Sequence, residues 1–309
     1  MSSLPNQSEM HVDVIVCTFR RPALLARLID AIAAQHSADW RLRLIVVDND
    51  PLQSAQTVLT DAMACHPSLT SVYLSEPRKN IALARNAGLD TSDADYIAFI
   101  DDDECPSPDW LSRLLSSARD FNAGLVFGPV LPEYHADTPD WLINGGFFDR
   151  PRHATGTPLP LAEARTGNVL IRADLIQTTG LRFDPDFGLS GGEDSVFFRS
   201  LYPLAGNAIW CDEAIVHEAI PPERSTARWL LRRRFRIGSV EACMAKQKMD
   251  AMVLARVVLK SCYLCLRTLV ECLPAALCSQ TRLLQSMRRG AIGAGLIYGL
   301  LFGVFNEYK

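Results

Sequence analysis

The first hundred residues alternate between two hydrophobic periods. Short runs rich in β-branched and other apolar residues, Val12 to Cys17, Leu42 to Asp48, Ser71 to Ser75 and Tyr96 to Ile100, are bounded by turn-forming residues and read as strands. The stretches between them, Pro22 to Gln35, Pro51 to Cys65 and Lys79 to Leu89, have helical length and spacing. Pro22 and Pro51 suit a first helical turn. Strand and helix in alternation predict right-handed crossovers and a mostly parallel, doubly wound α/β sheet. Ligands of such sheets collect beyond the carboxyl ends of the strands. The segments at those places are Thr18-Phe19-Arg20-Arg21, Asp48-Asn49-Asp50, Glu76-Pro77-Arg78-Lys79-Asn80 and Asp101-Asp102-Asp103-Glu104, dominated by polar and charged residues.

Further along, the pattern predicts a helix over Pro108 to Arg119, a strand over Gly124 to Val130 and a strand over Gly167 to Ile171. Between the two strands, Leu131 to Arg165 is rich in Pro, Gly and aromatic residues and reads as substrate-covering loops. After a turn at Phe183 to Gly188, Ser190-Gly191-Gly192-Glu193-Asp194 opens a helix to about Leu204, and two short strands fit Ala208 to His217. Beyond Arg224 the chain reads as helical, with Pro274 and Gly290 as breaks. The expected organisation is therefore an α/β domain over residues 1–223 and a basic helical region over 224–309.

Charge sharpens that division. Residues 1–223 hold 16 Lys/Arg against 31 Asp/Glu, a net of −15, whereas residues 224–289 hold 14 against 3, a net of +11. Because the basic residues are mixed with apolar helical stretches, they suit the anionic surface of a bilayer rather than nucleic acid; a solvated helix face is the alternative. Ala251 to Leu277 is mostly apolar but interrupted by Arg256, Lys260, Arg267 and Glu271, which suits lying on a membrane. Gly290 to Phe305 is an uncharged run of 16 residues, short for a full span. It reads either as a re-entrant or interfacial segment, with Arg282, Arg288 and Arg289 on the cytoplasmic side, or as part of a buried helical subdomain or dimer interface. Met1 to Met10 show no basic region followed by an apolar stretch, so no secretory leader is expected. The nine cysteines lack framework spacing, and several lie in apolar runs, as in a reducing compartment; Cys262 and Cys265 fit core packing better than a zinc or redox site.

Three consecutive aspartates at a strand end raise one another's pKa unless something positive sits among them. A divalent cation, Mg²⁺ or Mn²⁺, bound together with substrate phosphates answers that need; a solvated acidic turn is the other reading. Neither a GxGxxG nor a GxxxxGK[ST] pattern follows the first strand, which counts against dinucleotide-dependent dehydrogenases and phosphate-loop hydrolases. Charged side chains such as Arg85 must then hold phosphates, unless Arg85 is merely a helix-surface partner of a carboxylate.

Five segments together resemble the large inverting glycosyltransferase family 2, of GT-A fold and of the bacterial surface-polysaccharide type. They are Val14-Ile15-Val16-Cys17-Thr18-Phe19-Arg20-Arg21, Ile45-Val46-Val47-Asp48-Asn49, Asn80-Ile81-Ala82-Leu83-Ala84-Arg85-Asn86-Ala87-Gly88, Ile97-Ala98-Phe99-Ile100-Asp101-Asp102-Asp103 and Gly191-Gly192-Glu193-Asp194. The resemblance implies a nucleotide-sugar donor with Thr18, Arg20, Asp48, Arg85 and Asp101 at the nucleotide. It implies a metal at Asp103 and His217, and Asp194 as catalytic base, with Glu193, Arg228 and Trp229 at the acceptor or diphosphate. On residues alone, His217 could be structural, and Glu193-Asp194 could be acids complementing a helix dipole. Processive relatives carry Gln-x-x-Arg-Trp; here Ser225-Thr226-Ala227-Arg228-Trp229 lacks the glutamine, which implies single-sugar addition. The implied reaction moves a sugar from a UDP-sugar to a lipid-linked or polysaccharide acceptor at the cytoplasmic face of the inner membrane. Rival readings are a sugar-nucleotide-forming nucleotidyltransferase and a non-catalytic membrane-bound partner of the same fold.

Overall fold

The computed structural model describes residues 10–37, 39–189, 191–247 and 250–305. The polar stretch ahead of Met10 and Ser190 of the helix-opening segment lie outside the described residues. Two compact units divide the chain: Met1–Leu131, Arg150–Gly188 and Glu193–Glu218 form one, and Pro132–Asp149, Leu189–Gly192 and Ala219–Lys309 form the other. The second unit thus takes two inserts from earlier in the sequence besides the basic helical region.

In the first unit, β1 (Met10–Thr18), α1 (Pro22–Ala33), β2 (Trp40–Asp48), α2 (Gln56–Cys65), β3 (Thr70–Ser75), α3 (Ile81–Thr91) and β4 (Tyr96–Phe99) alternate as the hydrophobic pattern predicts. Next come β5 (Glu104–Pro106), α4 (Trp110–Asp120), β6 (Leu125–Phe127) and β7 (Val130–Tyr134). After α5 (Asp140–Ile143), a short helix of the second unit, follow β8 (Val169–Arg172), α6 (Asp174–Thr179), α7 (Glu193–Leu201), β9 (Ala208–Trp210) and β10 (Val216–Ile220). Both β7 and β10 begin in the first unit and end in the second. The main sheet has the order β3-β2-β1-β4-β8-β6-β9, with β8 antiparallel to both neighbours and every other pair parallel. Alternate side chains bury both faces: Val14, Val16, Leu44 and Val46 meet Leu28, Ile32 and Trp110 on one side. Ile15, Ile45 and Val47 meet Ala84, Phe197 and Phe198 on the other. Register sets Thr18 against Asp48 and Asp48 against Ser75, so the carboxyl ends of β1, β2 and β3 are level.

Two element expectations change, each for a local reason. The helix expected from Pro51 starts at Gln56, because the Asp48 carboxylate accepts from the amides of Asp50 (3.0 Å) and Ala55 (2.7 Å), tying 51–55 into turns. The single strand expected over Gly124 to Val130 breaks at Gly128-Pro129. There the Asn168 amide donates to the Pro129 carbonyl (2.9 Å), and a Cβ on Gly128 would overlap the Ala214 carbonyl. β6 stays in the main sheet while β7 joins a second one, of order β5-β10-β7.

In the second unit, α8 (Ala227–Gln247), α9 (Ala251–Cys278) and α10 (Gln280–Phe302) pack together. Neither expected break occurs. Pro274 falls within the last turns of α9, where it forgoes a single helical bond, the one to the Val270 carbonyl, and the helix passes through it. The chain turns instead at Ser279, whose Oγ accepts from the Arg282 amide (3.2 Å) and caps α10. Gly290 lies inside α10, where a Cβ would come within 2.8 Å of Thr268. Gly293, Gly295 and Gly299 continue that close approach: a side chain at Gly295 would overlap the Phe235 carbonyl, and one at Gly299 the Ser239 carbonyl. Ser261 Oγ of α9 donates to the Gly293 carbonyl (2.7 Å). In the uncharged run from Gly290, Gly293, Gly295, Leu296 and Gly299 are buried in helix packing, whereas Ile297, Leu301 and Phe302 are exposed on its other side. Among the described residues no helix is long and apolar enough to cross a membrane.

Gly299→Val is expected to destabilise the chain by about 1–3 kcal/mol, the usual penalty of overpacking. Urea unfolding measures it; an unchanged midpoint would show that α8 and α10 do not meet as closely as described.

Candidate active site

The acidic turn after β4 is built from both sides. The main-chain amide of Asp101 donates to Glu104 Oε2 (3.0 Å), and the amide of Glu104 donates to the Asp101 carbonyl (3.1 Å). Gly167, just before β8, leaves room for this turn, since a Cβ there would sit 2.7 Å from Glu104 Oε1. Asn168, held at φ 60° and fully buried, receives the Trp110 indole N–H (2.8 Å) and donates to the carbonyls of Pro129 and Ala214. One side chain thereby joins the ends of three segments beneath the site.

Two arginines supply positive charge among the acids. Arg21 Nη1 donates to Asp102 Oδ1 (2.7 Å) and Asp103 Oδ2 (3.0 Å), and Thr18 Oγ1 donates to Asp102 Oδ2 (2.8 Å). Burial works against the Arg21 charge, but Asp102 and Asp103 outweigh it and raise its pKa. Arg85 is buried on α3; its Nη1 donates to Glu193 Oε1 (2.5 Å), its Nη2 lies 3.5 Å from Asp101 Oδ1, and its guanidinium sits over the Phe183 ring. Phe183 is fixed in turn by Asn86, which exchanges hydrogen bonds with its main chain (2.8 and 2.9 Å). Burial pushes the Glu193 carboxyl up, against the pull of Arg85, and among the described residues its Oε2 has no partner. Asp194, next along α7, is half-buried and accepts from the Ser195 amide (2.7 Å).

The residues singled out by sequence divide accordingly. Thr18, Arg85, Asp101, Asp103, Glu193 and Asp194 all belong to the first unit: Thr18 and Asp103 join the group around Arg21, Asp101 and Glu193 the group around Arg85, and Asp194 follows Glu193 on α7. Asp48 lies at the same sheet edge but turns inward: it is fully buried, and its oxygens also accept from the Tyr73 hydroxyl (3.1 Å). Arg20, in the left-handed region at φ 55°, bonds Asp50 (3.1 Å) beside it. His217 is exposed on β10, paired in register with Cys105, two residues past Asp103. Arg228 and Trp229 lie in the first turn of α8 in the second unit, where Trp229 stacks on Phe148 (5.7 Å between centroids).

Sequence reading missed Arg21 as the counter-charge, because its partners are about 80 residues away. It also missed a small pocket, partly open to solvent, lined by Gly128, Arg150, Glu163, Arg165, Gly167 and Trp210. Arg150 is bound to Glu218 (2.8 Å), whereas Arg165 reaches only the Glu163 carbonyl (3.0 Å) among the described residues. Burial and then Arg150 lower the Arg165 pKa. Arginine in a stretch otherwise rich in Pro and Gly was the available signal.

This donor set suits a divalent cation in part. Asp101, half exposed at the strand end, and Asp103 offer hard oxygen ligands that suit Mg²⁺ or Mn²⁺. Among the described residues no three ligand-type side chains converge, so the chain alone makes no complete cage. The donors fit an ion that takes one or two carboxylates and completes its shell with substrate phosphates.

Glu104 carries a pH-dependent consequence. It is buried, and desolvation, then Asp101 and Glu218, push its carboxyl well above the ordinary 4.5, against the pull of Arg150. Because the folded pKa is raised, the native chain keeps a proton that the unfolded chain releases. The stability this gives is full below the unfolded pKa and is lost as pH rises through the folded one. In metal-free buffer Glu104→Gln is expected to match the native protein near pH 5 and to exceed its stability at pH 8. Identical pH slopes for both proteins in urea unfolding would refute the burial account.

Comparison with known proteins agrees with this geometry. The pattern of Glycosyl transferase family 2 matches residues 13–177. Over 305 residues the chain is 37% identical to the succinoglycan biosynthesis protein ExoM of Rhizobium meliloti (strain 1021), covering 96% of this chain and 95% of that one. It is 24% identical to the glycosyltransferase AglE of Haloferax volcanii over 74% of this chain and 71% of that one. Among solved structures, the mannosyltransferase PcManGT from Pyrobaculum calidifontis, in complex with GDP-Man and Mn²⁺, superposes with a TM-score of 0.65 at 17% identity, over 96% of this chain and 89% of that one. S. aureus TarS 1-349 in complex with UDP-GlcNAc gives 0.55 at 15% identity over 75% of this chain; the match spans 66% of the TarS chain, just under two thirds. At such identities the structures speak for the fold, which is GT-A. The nucleotidyltransferase and non-catalytic readings fall away: the chain is a glycosyltransferase and belongs to glycosyl transferase family 2.

Proposed function

We propose that this chain transfers one sugar, with inversion, from a nucleoside-diphosphate donor, a UDP-sugar, to a lipid-linked or polysaccharide acceptor. It would do so in surface-polysaccharide synthesis at the cytoplasmic face of the inner membrane. The observation that carries the reading is the linked system Asp101–Arg85–Glu193, which ties the acidic turn to the start of α7, where Asp194 stands. The overall likeness to a succinoglycan biosynthesis protein supports a polysaccharide or its lipid-linked precursor as acceptor. The GDP-Man, UDP-GlcNAc and Mn²⁺ named with the solved relatives support a nucleotide-sugar donor and a metal.

In this reading Asp194 takes the acceptor hydroxyl proton while that oxygen bonds to the anomeric carbon from the face opposite the diphosphate, and the bond to the diphosphate oxygen breaks. Its half-buried place at the first turn of α7 leaves the carboxylate within reach of solvent and so of an acceptor hydroxyl. Glu193 holds Arg85, and Arg85 holds Asp101 beside the nucleotide; Thr18 and Arg21 fix Asp102 and Asp103 from below. Asp48 would act at the nucleoside mainly by shaping the loop that carries Asp50, since its own oxygens are bonded within the fold. Arg20 beside Asp50 offers a cation at the same edge. Asp103, with Asp101 and His217 nearby in sequence register, would hold Mn²⁺ or Mg²⁺, which supplies charge neutralisation to the departing diphosphate. Arg228 and Trp229 are assigned to the acceptor or diphosphate on the family pattern.

Two measurements test the reading. Thermal stabilisation by UDP, GDP and dTDP, each with and without Mn²⁺, is expected to single out UDP with metal and to vanish in Asp103→Ala; no shift with any nucleotide would overturn the donor site. Asp194→Asn is expected to keep that shift and lose transfer by roughly 10²–10⁴-fold, the range of a general base. Transfer near the native rate by this variant would remove Asp194 from the mechanism.

A further inference from the structure

Helix α9 has two apolar sides. Val257, Ser261, Leu264 and Thr268 turn inward; Val257 and Leu264 pack in the core of the second unit and Ser261 bonds α10. The other side is bare. Met252, Leu259, Tyr263, Leu266, Val270 and Leu277 recur at intervals of three, four and seven residues, which places them on one stripe of the helix. Leu259, Leu266, Val270 and Leu277 are 69%, 65%, 68% and 84% exposed. At 1.5 Å per residue the stripe runs for roughly 37 Å. Arg256, Lys260 and Arg267 line one flank of it, four and seven residues apart. Lys260 is bound to Glu241 and Arg267 to Glu271 (each 2.6 Å), while among the described residues Arg256 has no carboxylate partner.

We propose that this outer stripe of α9 lies in the interfacial plane of an anionic bilayer, with its leucines among the acyl chains and its basic flank at the headgroups. The inference rests on the membrane location proposed above and names the surface that meets the lipid. Charges distributed along the whole helix exclude a span, and suit a helix lying flat whose long cationic side chains reach the headgroup layer. Charge also decides between lipid and a second copy. Residues 224–289 carry 14 Lys/Arg against 3 Asp/Glu, so a symmetric pair meeting through α9 would bring two strongly basic regions together. An anionic leaflet meets the same region with opposite sign.

The test uses the full chain and vesicles of phosphatidylcholine alone or with phosphatidylglycerol, read by flotation. The native protein is expected to float with the anionic vesicles and much less with the neutral ones. The double variant Leu259→Glu with Leu266→Glu is expected to lose at least about tenfold in vesicle partition, because two apolar anchors become charges. Both positions are exposed, so the variant should keep the native unfolding midpoint and the UDP-dependent thermal shift. That shift separates failure of this inference from failure of the transferase reading. Equal flotation of native and variant would overturn the proposal. So would a native protein that ignores both vesicles, or a native dimer that the substitutions split to monomers without any vesicle binding.

Discussion

Negative charge gathered at one edge of a sheet is the constraint on which this structure depends. Asp101, Asp102, Asp103, Glu104, Glu193 and Asp194 all lie at or near the carboxyl end of β4 and the start of α7, and they bear their charge in three ways, with Asp103 sharing Arg21 with Asp102. Asp102 is buried and takes Thr18 and Arg21; Glu193 is buried and takes Arg85. Glu104 is buried, among the described residues no cation is bonded to it, and desolvation raises its pKa. Asp101 and Asp194 keep contact with solvent. A buried carboxylate stripped of its partner costs about 3–5 kcal/mol, so Arg21 and Arg85 are as much parts of the fold as of the site.

The same constraint explains why the two arginines sit where they do. Arg85 comes from the second turn of α3, a helix whose start is set by Asn80: its Oδ1 accepts from the amides of Ala82 and Leu83, while its own amide donates to Asn49 Oδ1 (2.9 Å). Asn49 in turn donates to the carbonyls of Glu76 and Arg78 (2.7 Å each). A chain of side-chain amides thus fixes the origin of α3, and through it the position of the cation beneath the acidic turn.

Much of this was legible in the sequence, and the limits have physical causes. The alternation of β-branched runs with helical spacing fixes β1 to β4 because period and burial are local properties of the chain. The acidic turn was legible as chemistry for the same reason. What stayed hidden depends on partners distant in sequence: Arg21 meets Asp102 across 81 positions, and Trp110 meets Asn168 across 58. Asp48 shows a subtler limit. A strand-end aspartate can face a ligand or tie its own loop, and only the position of the Asp50 and Ala55 amides decides between them.

Helices α9 and α10 make the same point for hydrophobicity. Both are apolar for long stretches; composition suited the Ala251 to Leu277 stretch to lying on a membrane and left the uncharged run from Gly290 open between an interfacial segment and a buried one. The distinguishing signal is side-chain volume rather than polarity. α10 carries Gly290, Gly293, Gly295 and Gly299, which let it approach α8 and α9 at backbone distance. A helix that offers hydrogen atoms where others offer leucine gains little from a fluid solvent but much from a rigid neighbour, since dispersion rewards close and fixed contact. α9 carries Leu259, Leu266, Leu269 and Leu277 outward, side chains that gain chiefly by leaving water. The glycine face of α10 is therefore the surface that needs protein against it, whereas the outward leucines of α9 still lack an apolar phase.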